Sequence, residues 1–473
     1  MRNIMREYLK EPIVGIIAPA GYGKTEEIAN AVMCCEGKQL ILTHTRAGVS
    51  ALQTRMKKKN IANDKFEIDT IASFCLKWCK AYPKTAVVNI PEKSSAINYS
   101  DIYRGTKRIF SYKWAKDIIH QSYKGLFIDE YQDCTQLQHT IFMGLVNVLP
   151  IRIFGDPLQG IFYWSKEDTI VNWHNFTFKI IHPLTKAWRW ENSNQRLGII
   201  LTALRKYLEN ALDGYPVKIN IRNFPGCITV LNSAQWNNGM HAYKISNYYK
   251  NIVYLSSFLR REREFARNNG GYFQCDEVKD LREVEEIIEK IEEKNNEEKA
   301  LELIKSLKNM INHISAELNS YIENLKKGKS NFSRIKKHKE LGHLLENVCK
   351  ENSSKAVLEI LIWFIKGKKF KIYRQEMMYR IKSIYEYMAK ENVSLYEAVD
   401  TLNNQQYFNT QRYDFPRLSS RTVLTKGLEF DCVIIDARNE MDVRDFYVAM
   451  TRAKKHIYII TDDNELFFKE IKY

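Results

Sequence analysis

The stretch IVGIIAPAGYGKTEEIANAVM, residues 13–33, decides how the chain is read. Its opening IVGIIA is a short apolar, β-rich run of the kind that forms a strand buried on both faces. That run leads directly into Ala18-Pro19-Ala20-Gly21-Tyr22-Gly23-Lys24-Thr25, and the EEIANAVM that follows suits a helix. Strand, glycine loop and helix in this order are the setting of a phosphate cradle. Gly21 and Gly23 let backbone N–H groups curl around phosphate oxygens, and the helix N-terminus adds its positive end. Residues Ala18 to Thr25 are therefore expected to bind a nucleotide, with Lys24 at the β- and γ-phosphates and Thr25 at Mg²⁺. Ala18 stands where the motif usually has Gly. A chance GKT in a turn is the plain alternative, and the flanking strand and helix weigh against it.

Working outward, similar apolar runs recur as LILT at 40, LFID at 126, IRIFG at 151, CVIID at 432 and HIYIIT at 456, with helix-compatible segments between them. Buried strands alternating with helices predict parallel α/β sheets. The run at 126 ends in Asp129-Glu130-Tyr131-Gln132-Asp133. Adjacent carboxylates at a strand end suit two tasks, Asp129 on the Mg²⁺ shell and Glu130 polarising the attacking water, although a solvated acidic turn has the same composition.

Proline divides the chain. Nine of the ten prolines lie at or before Pro225 and the last is Pro416, so Gly226 to Phe415 contains none. Proline breaks helix interiors, and this stretch rich in Glu, Lys, Leu and Ile is expected to be mostly helical. Ile304, Leu307, Ile311, Ile314, Leu318, Tyr321 and Leu325 recur at spacings of three and four, as do Leu281, Val284, Ile288 and Ile291. These seams predict two helices folded back as a coiled hairpin about Asn295 and Asn296. Its charge is lopsided, with eleven acidic and five basic residues over Asp276–Lys299, then seven basic and one acidic over Lys326–Glu340.

The 473 residues carry 72 Lys and Arg against 56 Asp and Glu, a net charge of +16 that points to a polyanionic partner. No run reaches the ~18–20 apolar residues of a membrane span, and MRNIMREYLKEP lacks a secretory apolar core, so a cytoplasmic location and no membrane partner are expected. Nine scattered cysteines without paired CxxC elements read as reduced thiols and not as a zinc site.

At DEYQD the sequence resembles superfamily 1 helicases of the UvrD/Rep/PcrA group, over about residues 13–190 and 420–462 and in that group's motif order. ILTHTRAGVSALQTRM at 41–56 is similar to the segment that brings Thr43 and Arg46 toward single-stranded DNA, and DTIASFC at 69–75 to the next DNA-contact motif, with Thr70 kept and Ala72 in place of the usual His. FGDPLQGIFYW at 154–164 implies Gln159 as γ-phosphate sensor, and Phe162 and Trp164 as platforms for bases, Phe162 reading equally as a core residue. LTKAWRW at 184–190 implies Trp188 stacked on adenine and Arg189 reaching the γ-phosphate. RTVLTKGLEFDCVII at 421–435 and FYVAMTRAKKHIYII at 446–460 carry Gly427 and Glu429 to the nucleotide site and Arg452 to the part of arginine finger. Two departures are that no Gln precedes the glycine loop, the first being Gln39, and that Val423 stands where His is common.

The resemblance implies an α/β fold of two RecA-like domains, each with a parallel sheet. Domain 1A would span 1–80 and 115–182, with a reduced 1B insert at 81–114. Domain 2A would span 183–257 and 417–473, with a helical 2B-like insert at 258–416. It further implies an ATP- and Mg²⁺-dependent 3′–5′ DNA helicase or translocase on single-stranded DNA or a tailed duplex, with Lys24, Glu130, Gln159, Arg189 and Arg452 as its catalytic set. A dozen residues follow HIYIIT, so no C-terminal nuclease domain is expected. Compact chains of this kind are similar to the helicase subunit of the Gabija anti-phage system, which implies a separate nuclease or other protein partner, in defence or repair. A DNA-activated ATPase that senses ends or gaps, and a nucleic-acid scaffold with a vestigial nucleotide site, remain as alternatives.

Overall fold

The computed structural model describes residues 2–90, 97–162, 169–220, 224, 226–236, 238–276, 282–367, 370–408, 415–438 and 441–471. Two six-stranded parallel sheets form its core, each sandwiched by helices. The first holds β1 (Ile13–Ile17), β2 (Gln39–Thr43), β3 (Phe66–Thr70), β4 (Gly125–Ile128), β5 (Ile151–Gly155) and β6 (Lys179–Ile181) in the order β3-β2-β4-β5-β1-β6. Register brings the functional loops to one edge. Ile17 lies opposite Gly155, Leu42 opposite Ile128 and Thr43 opposite Thr70. The glycine loop, Asp129, Asp156, Thr43 and Thr70 consequently emerge together at the carboxyl edge, where open α/β sheets bind ligands.

A two-stranded antiparallel ribbon pairs β7 (Val217–Asn220) with a strand near the C-terminus (Glu465–Phe468). The second sheet contains β8 (Ile228–Leu231), β9 (Ile252–Ser256), β10 (Gln274–Cys275), β11 (Arg417–Arg421), β12 (Phe430–Asp436) and β13 (Ala453–Ile460), ordered β10-β11-β9-β12-β13-β8. Every run read as a strand from its apolar pattern is a strand. Buried residues of the glycine loop, Ala18, Ala20 and Tyr22, share one core with Leu197, Leu201, Phe446, Tyr447 and Met450 of the second domain, so the two domains pack directly. No helix among the described residues is long and apolar enough to cross a membrane.

Three expectations about the inserts need correction. The 81–114 segment does not stand apart as an accessory lobe. Its helix Tyr99–Ile109 buries Ile102 and Ile109 in one core with Leu40, Leu126 and Ile128 of the first sheet. The large insert does not begin at 258, because the helix Leu259–Asn268 stacks Phe265 on Tyr254 of β9, with ring centroids 3.8 Å apart, and β10 extends the second sheet. Helical structure of the insert proper runs from Arg282 to Phe408.

Nor is the coiled hairpin continuous. Helices Arg282–Glu292 and Asn296–Leu307 do fold back at 293–295, but the second seam stops after Leu307. Ile311 bridges to Ile372, His313 takes a left-handed φ of 58°, and two short helices, Ile314–Glu317 and Asn319–Lys326, carry the rest. Asn309, Asn312 and His313 are weak helix formers, and a turn there lets the chain close on itself. All seven seam residues remain buried, in one globular core with Leu345, Ile360, Met378 and Tyr385.

Candidate nucleotide site between the two domains

The loop after β1 has the backbone its glycines predict, with Gly21 at φ 77° and Gly23 at φ 87°. Glycine enters this left-handed region without the ~1–2 kcal/mol that a Cβ costs. Gly21 is also crowded, since a Cβ there would lie 2.8 Å from Arg189 Cβ and 2.9 Å from Trp190 Cζ3. Gly21→Ala is expected to lower stability by ~1–3 kcal/mol from strain and crowding together and to weaken nucleotide binding. Thermal melting with and without ATP checks this, and a variant that melts and binds as wild type sinks it.

Lys24 opens the helix Lys24–Cys34, is buried, and donates from Nζ to the Ala18 carbonyl at 3.3 Å. Thr25 is half-buried beside it. Across the edge, Asp129 is buried at the end of β4, and Glu130 follows in a left-handed conformation at φ 54°, its Oε2 accepting from Gln132 Nε2 at 2.5 Å. Burial and then the Glu130 charge push the Asp129 carboxyl upward. Burial also opposes ionisation of Glu130, but Lys24, Lys426, the Gln132 hydrogen bond and Arg452 outweigh it and hold that carboxyl well below the usual range. The pair is thus split, with Glu130 ionised and Asp129 short of positive charge.

From the second domain, Arg452 reaches into the same place. It is buried, and among the described residues its donors meet neutral oxygens, namely Val448 O at 3.0 Å, Leu428 O at 3.2 Å, Gln159 Oε1 at 3.3 Å and Thr451 Oγ1 at 3.3 Å. Burial, then the neighbouring Arg189, lowers its pKa to about 9, which leaves it charged at neutral pH. A buried cation hydrogen-bonded to neutral oxygens is costly, and a polyphosphate is an anion that would offset that cost.

Arg189 is differently engaged. Its Nε donates to Glu429 Oε1 at 2.9 Å and its Nη1 to the Thr451 carbonyl, so the two residues expected at the γ-phosphate and the nucleotide are here paired with each other. Trp188 is half-exposed, with its ring edge beside Gly23 and Lys186 Nζ 4.1 Å from the ring centroid. Gly427 has a φ of 85° with open space where a Cβ would sit. Thr25 and the buried Asp129 are the residues that would hold a Mg²⁺ ion, which would neutralise phosphate charge. Among the described residues no three His, Cys, Asp or Glu side chains converge as a metal site.

The residues read as DNA contacts are less uniform. Arg46 is half-exposed at the start of the helix Arg46–Lys58, whereas Thr43 is buried with its hydroxyl against Gly48. Thr70 caps the helix Ile71–Ala81, its Oγ1 accepting from Ser73 N at 3.0 Å. Phe162 lies under Lys426 Nζ, 4.9 Å from its ring centroid, which agrees better with packing than with an open platform. Trp164 lies outside the described residues.

Several linking residues escaped the sequence reading. Asp156 is fully buried and accepts from Arg205 Nη2 at 2.7 Å, Gln159 Nε2 at 2.8 Å and Tyr447 OH at 3.2 Å, and Tyr447 OH accepts in turn from Ala20 N at 3.3 Å. One carboxylate therefore ties the glycine loop, Gln159 and two helices of the second domain together. Lys426 makes a second tie, donating to Asp133 Oδ2 and, at 2.6 Å, to Gln159 O. The motifs named Asp133, Asp156 and Lys426 as letters, but no local pattern pairs them with partners hundreds of residues away.

Burial raises the Asp133 pKa to about 6 despite Lys426. The folded state consequently holds a proton that the unfolded chain releases, and the stability from Asp133 is complete below about 3.8 and lost as pH rises through about 6. Asp133→Asn, which imitates the protonated form, is expected to lose less stability than wild type as pH rises from about 4 to 7. A melting-temperature gap that narrows as pH rises contradicts this assignment.

Residues 1–164 match the family model described as AAA domain, and residues 424–460 match the one described as UvrD-like helicase C-terminal domain. The first matched segment holds the glycine loop, Glu130 and Gln159, and the second, which is UvrD-like, holds Glu429 and Arg452. Over 79 residues it is 37% identical to the Gabija protein GajB of Bacillus cereus (strain VD045), a match that covers 14% of this chain and 16% of that protein. Among solved structures, the Pif1 helicase from Candida albicans is 12% identical with a TM-score of 0.40 over 98% of this chain and 94% of its own. The arterivirus nonstructural protein 10 helicase in complex with DNA is 9% identical with a TM-score of 0.36 over 97% of this chain and 63% of its own. The two matched segments meet where Gln159 Oε1 accepts from Arg452 Nη2 at 3.3 Å.

Proposed function

We propose that the chain is an ATP-driven motor on single-stranded DNA, a helicase or translocase of the UvrD type that moves 3′ to 5′. The observation that supports this best is the convergence of Lys24, Asp129, Glu130 and Gln159 from one sheet edge with Arg452 from the other domain. In this reading Lys24 binds phosphate, Glu130 orients and deprotonates the attacking water, and Gln159 and Arg452 register the γ-phosphate together. The Asp156 and Lys426 ties carry that state between domains, and loss of the phosphate loosens the grip on Arg452 and opens the cleft. The 79-residue likeness to GajB supports a further reading, in which the motor serves an anti-phage complex with a separate nuclease.

ATP hydrolysis with and without single-stranded DNA, followed by displacement of a strand from a 3′-tailed duplex, tests the motor. Stimulated hydrolysis and displacement, both lost in Glu130→Gln, are expected. Hydrolysis without displacement would favour a DNA-activated sensor, and no stimulation at all would end the motor reading.

A further inference from the structure

Beyond the cleft, the helix Ile71–Ala81 carries a row of aromatic rings outward from Thr70. Phe74 touches Phe110 with ring centroids 6.2 Å apart, and Trp78 touches the same ring at 5.0 Å. Trp78 stacks on Tyr82 at 5.5 Å, Tyr82 meets Trp114 at 4.6 Å, and Trp114 lies 6.3 Å from Tyr112 at an interplanar angle of 29°. The inner rings are packing. The outer two are not covered, since Tyr112 is 48% and Trp114 36% exposed at the start of the helix Lys113–Ser122.

The surroundings are cationic. Residues 77–122 contain nine Lys and Arg against three Asp and Glu, a large share of the chain's net +16. Lys80, Lys84 and Lys113 are exposed and Lys116 half-exposed, whereas Asp101 is held by Arg104 at 2.9 Å, leaving Asp117 as the opposing carboxylate on this helix. Exposed aromatic faces among lysines match a strand whose bases stack and whose phosphates need counterions. An acidic protein would satisfy the lysines alone and leave the flat rings unexplained. Trp78 stands eight residues beyond Thr70, or ~12 Å along the helix at 1.5 Å per residue. The row of rings therefore lies on the same helix that Thr70 caps, within about one helix length of that residue.

We propose that Tyr112 and Trp114, flanked by Lys113 and Lys116, form an accessory single-stranded nucleic-acid surface that holds the strand outside the cleft. It rests on the motor reading and extends it to a second contact that the sequence motifs do not include. Binding of the full chain to fluorescein-labelled oligothymidylate, followed by anisotropy over a range of salt concentrations, tests it. The double variant Tyr112→Ala with Trp114→Ala is expected to bind roughly ten- to a hundredfold more weakly at fixed salt. The double variant Lys113→Glu with Lys116→Glu is expected to flatten the slope of log affinity against log salt by about one to two units. Tyr243→Ala, at an exposed tyrosine elsewhere, controls for nonspecific effects, and unchanged melting transitions show that each variant is folded. Wild-type affinity and slope in both folded double variants overturn the proposal and assign the surface to a protein partner. A wild-type chain that binds no oligothymidylate defeats the motor reading itself, and this inference with it.

Discussion

Arg452→Ala is expected to lower kcat for ATP hydrolysis by ~10³–10⁵-fold, the range found when an arginine finger is removed from a phosphoryl-transfer site. The guanidinium is buried, charged and, among the described residues, hydrogen-bonded to neutral oxygens. Its favourable interaction is consequently expected with the charge that develops on the transferring phosphoryl group and much less with bound ATP. The effect should fall on kcat while KM moves by a few-fold. Arg452→Lys keeps a charge but cannot hold Leu428 O, Val448 O and Gln159 together, and most of the loss should remain. A fall confined to KM would instead make Arg452 a ground-state binding residue.

Glu130→Gln is expected to cost ~10²–10⁴-fold in kcat, the usual worth of a positioned general base, with nucleotide affinity retained. The amide is isosteric, so the Gln132 contact can reform, and the lost property is the carboxylate that Lys24, Lys426 and Arg452 hold ionised. The Asp129 carboxyl, relieved of a negative neighbour, should then ionise more readily. Mg²⁺-dependent nucleotide binding measured against pH should extend to lower pH in the variant. Identical pH profiles for wild type and variant would falsify the proposed coupling between the two carboxylates.

Much of this site is legible in the sequence because its instructions are local. A buried strand, two glycines with positive φ and a helix start must be contiguous to cradle phosphate, and DEYQD must follow a strand to place its carboxylates at the sheet edge. The fold was harder where polarity was satisfied at a distance. β11 reads RLSSR and has little apolar pattern, yet Ser419 and Ser420 are buried, their hydroxyls donating to Glu262 O at 2.7 Å and Asp276 Oδ2 at 2.8 Å. β3, FEIDT, is an edge strand whose carboxylates lie near lysines, Glu67 by Lys38 and Asp69 by Lys77, each at 2.7 Å. The seam from Ile304 to Leu325 identified buried positions correctly but not the turn among them, because periodicity reports which residues avoid water and not whether one helix carries them. Arg205 and Tyr447 gave no local signal, since their roles exist only once two domains meet.

The strands that flank the large insert are themselves neighbours. Gln274 and Cys275 of β10 pair with Leu418 and Ser419 of β11. The chain thus leaves for well over a hundred residues and returns on the adjacent, parallel strand. Such an insert behaves as a cassette. Its exchange or loss requires a crossover connection of about a dozen residues or more between two parallel strands, with no strand withdrawn from the sheet. Evolution can therefore re-equip this lobe for new partners while the engine beneath it keeps its geometry.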